Sequence, residues 1–144
     1  MNMLKHGVCV ILPAPELGPD GVLSISRRND TTKWGLPGGK VDPGETNLQA
    51  ILRETKEECN LILNPVALLP IFSRTCYGKD GVDYWITTYL YTDEWNRNDL
   101  QPEAEFTLLF SSLLHLGFES MSPFHTYNQE VLVAWHSYRQ HNLD

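Results

Sequence analysis

The sequence predicts an α/β fold in which one central mixed β-sheet lies between two helices, an α/β/α sandwich. Three stretches carry that expectation. Residues 82–92 (VDYWITTYLYT) are rich in β-branched and aromatic side chains and form the clearest strand in the chain. Over residues 47–59, Leu48, Ile51, Leu52 and Cys59 recur at helical spacing, with Thr55 on the same face. Near the carboxyl end, Phe124, Tyr127, Val131, Trp135 and Tyr138 recur likewise up to about residue 140, and an aromatic stripe of this kind is core. A chain of 144 residues suits a single domain spanning 1–144, and it shows no repeat, linker or low-complexity tract.

Taken in order, residues 8–12 are a short apolar run suited to a buried strand. Residues 13–21 are rich in proline and glycine and read as a loop. Residues 22–28 (VLSISRR) alternate and predict a second strand, antiparallel to the first. Arg27 and Arg28 end it on opposite faces, so only one of them can point into a given site. A polar loop over 29–33 leads through Trp34-Gly35-Leu36-Pro37 to Gly38-Gly39, where a ligand can approach the backbone closely. Pro43-Gly44 is a turn, and Thr46 with Gln49 has the spacing of a capping box opening the first helix. Residues 61–63 and 66–76 read as strand material kinked by Pro65 and Pro70. Residues 77–81 predict a hairpin turn, 93–102 a polar loop and 111–116 a short helical turn. Ser122-Pro123 reads as an N-cap with proline at the first position of the last helix.

Net charge is −7, and no basic stripe exists to neutralise phosphates, which argues against a nucleic-acid polymer as partner. Cys9, Cys59 and Cys76 are odd in number and lack a CxxC pair, so free thiols in a reducing compartment are expected. The first apolar run is too short for a secretory signal, and no segment reaches 18 apolar residues. The expectation is a cytoplasmic protein without a membrane partner. None of the five histidines has paired ligand spacing.

Glu54, Glu57 and Glu58 fall within an arc of about 100° on the first helix. Like charges at these spacings repel, and the negative end of the helix dipole adds to the strain. Arg53 can relieve Glu57 but not all three, whereas one divalent cation removes the conflict. Clustered carboxylates suit Mg²⁺, with Mn²⁺ as a substitute. On its own, such a run reads more readily as a solvated acidic face.

The wider pattern decides between the two. Gly39, Glu45, Arg53-Glu54, Glu57-Glu58 and Leu61, at their fixed spacing over 38–61 (GGKVDPGETNLQAILRETKEECNL), resemble the Nudix box, a loop-helix-loop signature. Two positions depart from it. Thr55 stands where an aliphatic residue is usual, and its hydroxyl then needs the carbonyl one turn back. Asn60 replaces the glycine that ends the helix, and asparagine is the next most tolerant of a left-handed conformation.

The resemblance implies the Nudix sandwich fold and a metal-dependent hydrolase acting on a nucleoside diphosphate linked to another group. It implies Glu57 and Glu58 as metal ligands, Glu54 as ligand or base, and the carbonyl of Gly38 in the metal shell. Arg53 and Glu45 would fix the geometry of loop and helix. Arg28, Gly39 and Lys40 would meet the substrate, and Glu105, five residues before Phe110, would be a further metal ligand. Small size and the WGLPGG entry favour a nucleoside triphosphate as substrate, giving monophosphate and pyrophosphate. The alternatives are cleavage of ADP-ribose, a nucleotide sugar or a dinucleotide polyphosphate, or nucleotide binding without turnover. Trp34, Tyr77, Tyr84, Trp85 and Phe110 are candidates to stack on a base or to be core. Small Nudix proteins commonly form homodimers, and the strand over 82–92 offers an edge for one.

Overall fold

A computed structural model describes residues 4–27, 30–77, 81–101 and 107–142. Seven strands and two helices follow in order: β1 (Lys5–Ile11), β2 (Gly21–Arg27), β3 (Asp30–Gly35), β4 (Gly38–Lys40), α1 (Asn47–Cys59), β5 (Leu68–Tyr77), β6 (Asp83–Tyr91), β7 (Leu108–Ser112) and α2 (His125–His141). β4-β1-β6-β5 form a mixed sheet, in which β1 and β6 run parallel and the other pairs antiparallel. β3-β2-β7 form a second, antiparallel sheet.

The alternation of β1 explains the layering. Val8 and Val10 face one way, with Leu12 beyond the strand, and pack with Ala50, Ile51 and Cys59 of α1 and with Tyr89 and Tyr91 of β6. Ile11 faces the other way, with Leu90, and packs with Tyr127, Val131 and Trp135 of α2. A sheet covered on both faces by helices is the expected sandwich.

α1 forms as its sequence dictates. Thr46 accepts from the Gln49 amide at 3.1 Å while the Gln49 side chain accepts from the Thr46 amide at 2.9 Å, the full capping box. The Thr55 hydroxyl donates to Ile51 O at 2.9 Å, which satisfies it inside the core. Asn60 closes the helix at φ 62, the left-handed conformation expected of it.

Elsewhere the structure corrects the sequence reading. β2 joins the second sheet and is not paired along β1; one bridge, Pro13–Val22, links them beyond the end of β1. Residues 30–35, expected mostly as polar loop, are the edge strand β3, half-buried at best and therefore without apolar alternation. Residues 61–63 are irregular, and 65–67 form a single helical turn. Pro70 sits beside a register shift in β5, consistent with a kink. α2 starts at His125, and Ser122 does not cap it but accepts from the Phe124 amide in the preceding turn. β6 lies between β1 and β5, so the strand over 82–92 offers no free edge for a homodimer.

Among the described residues no helix is long and apolar enough to cross a membrane. The three cysteines are free, and burial pushes the Cys9 and Cys59 thiols up to about 12.

Candidate active site

The loop before α1 is short and glycine-bearing because the helix comes against it. A Cβ on Gly39 would lie 2.4 Å from Glu54 Oε1, and one on Gly38 would lie 2.0 Å from Val8 O. The Gly38 amide donates to Glu58 Oε1 at 2.9 Å, which holds this 7% exposed carboxylate against β4.

Arg53 organises the rest, with all five guanidinium N–H groups engaged. Nε donates to Glu45 Oε2 at 2.8 Å, and Nη2 to Glu45 Oε1 and to Lys40 O, each at 3.0 Å. Nη1 donates to Glu54 Oε1 at 3.0 Å and to Glu57 Oε2 at 3.2 Å. The charge conflict expected from sequence is thus met within the chain: Arg53 relieves two of the three glutamates and the Gly38 amide the third.

The pair with Arg53 holds Glu45 down at about 2, aided by the Asp42 amide. Burial raises Glu54, against the opposing charge of Arg53. A group depressed in the folded state contributes stability above its ordinary value of 4.5 and loses it as pH falls through about 2. The difference in melting temperature between the wild type and Glu45→Gln is therefore expected to be full at pH 7 and to close from pH 4.5 downward. Melts at stepped pH measure it, and a difference that widens in acid contradicts the pairing.

Beside this cluster opens a cleft of about 490 Å³, running between the two sheets toward the start of α2. Gly38, Gly39, Lys40 and Glu58 line its near end, and Arg27, Trp34, Phe124 and Asn128 lie further along. Lys40 Nζ sits 5.7 Å from the Tyr84 ring centre, and the Arg27 guanidinium 5.6 Å from that of Phe124. Burial lowers the Arg27 pKa, while the charge of Glu58 opposes the shift. The far wall is tied to β3: Lys33 Nζ donates to Glu119 O and Ser120 O at 3.2 and 2.9 Å, and the Trp34 amide donates to Met121 O at 2.7 Å.

Of the residues expected from sequence, Gly38, Gly39, Lys40 and Glu58 line this end of the cleft, while Arg53 joins Glu54 and Glu57 to the Lys40 carbonyl beside it. Arg28 and Glu105 lie outside the described residues. Arg27, the neighbour set aside in favour of Arg28, lines the cleft. Trp34 and Tyr84 line it too, whereas Phe110 stacks on Trp95 at 6.2 Å. Asn128 and Ser122 line it as well; the sequence marks Ser122 only as a helix cap and leaves Asn128 unmarked.

The donor set suits a hard divalent cation. It consists of carboxylate oxygens, and those of Glu54 and Glu57 already share one cationic nitrogen of Arg53. Among the described residues no three acidic, histidine or cysteine side chains converge on a single point.

Comparison with known proteins gives a coherent picture. The family model described as NUDIX domain matches residues 3–140. The chain is 40% identical over 74 residues to the 8-oxo-dGDP phosphatase NUDT18 of Mus musculus, covering 49% of this chain and 23% of that protein. It is 44% identical over 104 residues to an ADP-ribose pyrophosphatase of Methanocaldococcus jannaschii, covering 68% of this chain and 60% of that one. The match thus spans under two thirds of either relative. Among solved structures, the E. coli ORF135 protein superposes with a TM-score of 0.72 at 20% identity, over 94% of this chain and 93% of that one, which shows the shared fold.

Proposed function

Since the chain belongs to the Nudix family, we propose that it hydrolyses a nucleotide phosphoanhydride bond, splitting a nucleoside triphosphate into monophosphate and pyrophosphate. The observation that carries this is the α1 carboxylate cluster, packed on a glycine pair at one end of a cleft of nucleotide size. Small-molecule sites run roughly 300–1,000 Å³, and this cleft is about 490 Å³. Its walls supply Lys40 and Arg27 for phosphate oxygens, and Trp34, Tyr84 and Phe124 as flat surfaces for a base.

Glu54, Glu57 and Glu58, with the Gly38 carbonyl and Glu105, would hold Mg²⁺ or Mn²⁺. When bound, the cation would neutralise phosphoryl charge and lower the pKa of an attacking water. Glu54, whose proton affinity burial raises, is the carboxylate best suited to take up the water's proton. Arg53 keeps Glu54 and Glu57 oriented and ties them to the loop through Glu45, a supporting role. Lys40 neutralises a leaving pyrophosphate at the near end. The net charge of −7 supports a small nucleotide, and not a nucleic-acid polymer or a membrane, as partner of one cytoplasmic domain over 1–144.

The matched relatives' names share a nucleoside diphosphate moiety, and the ADP-ribose pyrophosphatase match covers 68% of this chain. That coverage favours ADP-ribose as the second substrate class. A panel of nucleoside triphosphates, ADP-ribose, nucleotide sugars and dinucleotide polyphosphates with Mg²⁺ separates the readings. Release of pyrophosphate is the expected result. AMP with ribose phosphate transfers the assignment to the second class, and tight binding without turnover makes the chain a nucleotide-binding regulator.

A further inference from the structure

Glu57 and Glu58 stand in the last turn of α1, where a helix frays because its final carbonyls have no partner within it. Here that turn is tied down from outside. The Gln101 amide donates to Cys59 O at 3.0 Å, and the side-chain amide of Asn60 donates to Asp99 O at 3.1 Å. The Asn60 side-chain oxygen accepts from Lys56 Nζ at 2.7 Å, which keeps that ammonium at the negative end of the helix. The segment over 95–101 is itself a fixed strap. Trp95 Nε1 donates to Pro13 O at 3.0 Å, and its ring stacks on Phe110 at 6.2 Å. The Arg97 guanidinium lies 4.1 Å from the Phe110 ring centre and pairs with Glu16. Trp95 and Leu100 pack against the core that α1 shares with β1 and β6.

Ending the helix requires none of this. A glycine takes φ 62 readily, and it would keep the backbone bond that the Asn60 amide makes to Lys56 O. What asparagine adds is a side chain that reaches the strap. We propose that Asn60 is a positioning residue: it clasps the carboxylate-bearing turn of α1 to the strap and so fixes Glu57 and Glu58 where they hold the cation. This rests on the reading of the α1 carboxylates as a metal site. Ligands must be held to within roughly 0.5 Å of their working geometry. The Gly38 amide and Arg53 act on the side chains of Glu58 and Glu57. Asn60 acts on the backbone from which those side chains project. Its two side-chain bonds are exposed to solvent, so their loss touches orientation more than stability.

Asn60→Gly and Asn60→Ala test this together. Both remove the clasp, but only alanine strains the left-handed turn. The glycine variant is expected to melt close to the wild type and the alanine variant below it. Uptake of Mn²⁺, followed by calorimetry with a nonhydrolysable nucleoside triphosphate present, is expected to weaken about tenfold in both alike, the low end for residues that orient ligands. In the metal-free protein, amide exchange over 57–59 is expected to quicken in Asn60→Gly. Uptake that follows melting temperature, kept with glycine and lost with alanine, overturns the proposal, because Asn60 is then a helix cap alone. Wild-type uptake in both variants overturns it as well, and leaves the metal site standing. A wild type that takes up no Mn²⁺ fails the functional reading itself, and the proposal with it.

Discussion

Replacing Glu57 by glutamine is expected to lower turnover on the order of 10³-fold, the scale on which removal of one charge stabiliser acts in phosphoryl transfer. Melting temperature is expected to change little. Glu57 is the most exposed of the three glutamates, with 54% of its side chain accessible, and its one described partner is Arg53 at 3.2 Å. Exposed pairs of that kind contribute about 0.2–1 kcal/mol, too little to unfold the domain. Activity and stability therefore separate at this position. A Glu57→Gln protein that turns over nucleotide at the wild-type rate removes Glu57 from the ligand set. One that melts far below wild type makes it a structural residue.

Arg53 behaves differently, because both properties pass through it. Its five donors join Glu45, the Lys40 carbonyl, Glu54 and Glu57, so loop and helix lose their common tie when it is removed. Lysine keeps the charge but has three donors at a single point and cannot reproduce the fork. Arg53→Lys is expected to cost about 1–2 kcal/mol, less than a fully buried charge network would, since 27% of the side chain is accessible. Turnover is expected to fall about 10–100-fold, as for other residues that orient ligands. Arg53→Ala is expected to be worse on both counts, leaving three carboxylates with no cation among them. Thermal melts and kcat on the same preparations measure the two effects, and full activity in Arg53→Lys contradicts the orienting role.

How much of this was legible in advance follows from how local each signal is. α1 was legible from end to end, because Thr46, Gln49, Thr55 and Asn60 act on backbone groups within four residues of themselves. The carboxylates came with it, since a helix fixes their spacing. β3 was not legible: an edge strand with both faces partly wet has no alternation to read. The separation of β1 from β2 was hidden for a related reason. Residues 13–20 pass from one sheet to the other, and a proline-glycine loop looks the same in a hairpin as in a crossover. α2 was recognised by its aromatic stripe but begun too early, because Ser122 finds its partners in Phe124 and Asn128.

The cleft itself is assembled from β2, β3 and the start of α2, parts far apart in the chain. Arg27 lines it because the register of β2 against β3 and β7 sets which face its side chain takes, and that pairing is long-range. Cleft residues such as Asn128 reach that wall only once those parts meet.

The central claim is that the α1 carboxylates grip a divalent cation that carries the nucleotide's diphosphate. Calorimetric titration of Mn²⁺ into the intact protein, with a nonhydrolysable nucleoside triphosphate present, tests it most directly. Saturable uptake is expected in the wild type and strongly weakened uptake in Glu57→Gln. Absence of uptake by the wild type, or equal uptake by both proteins, contradicts it.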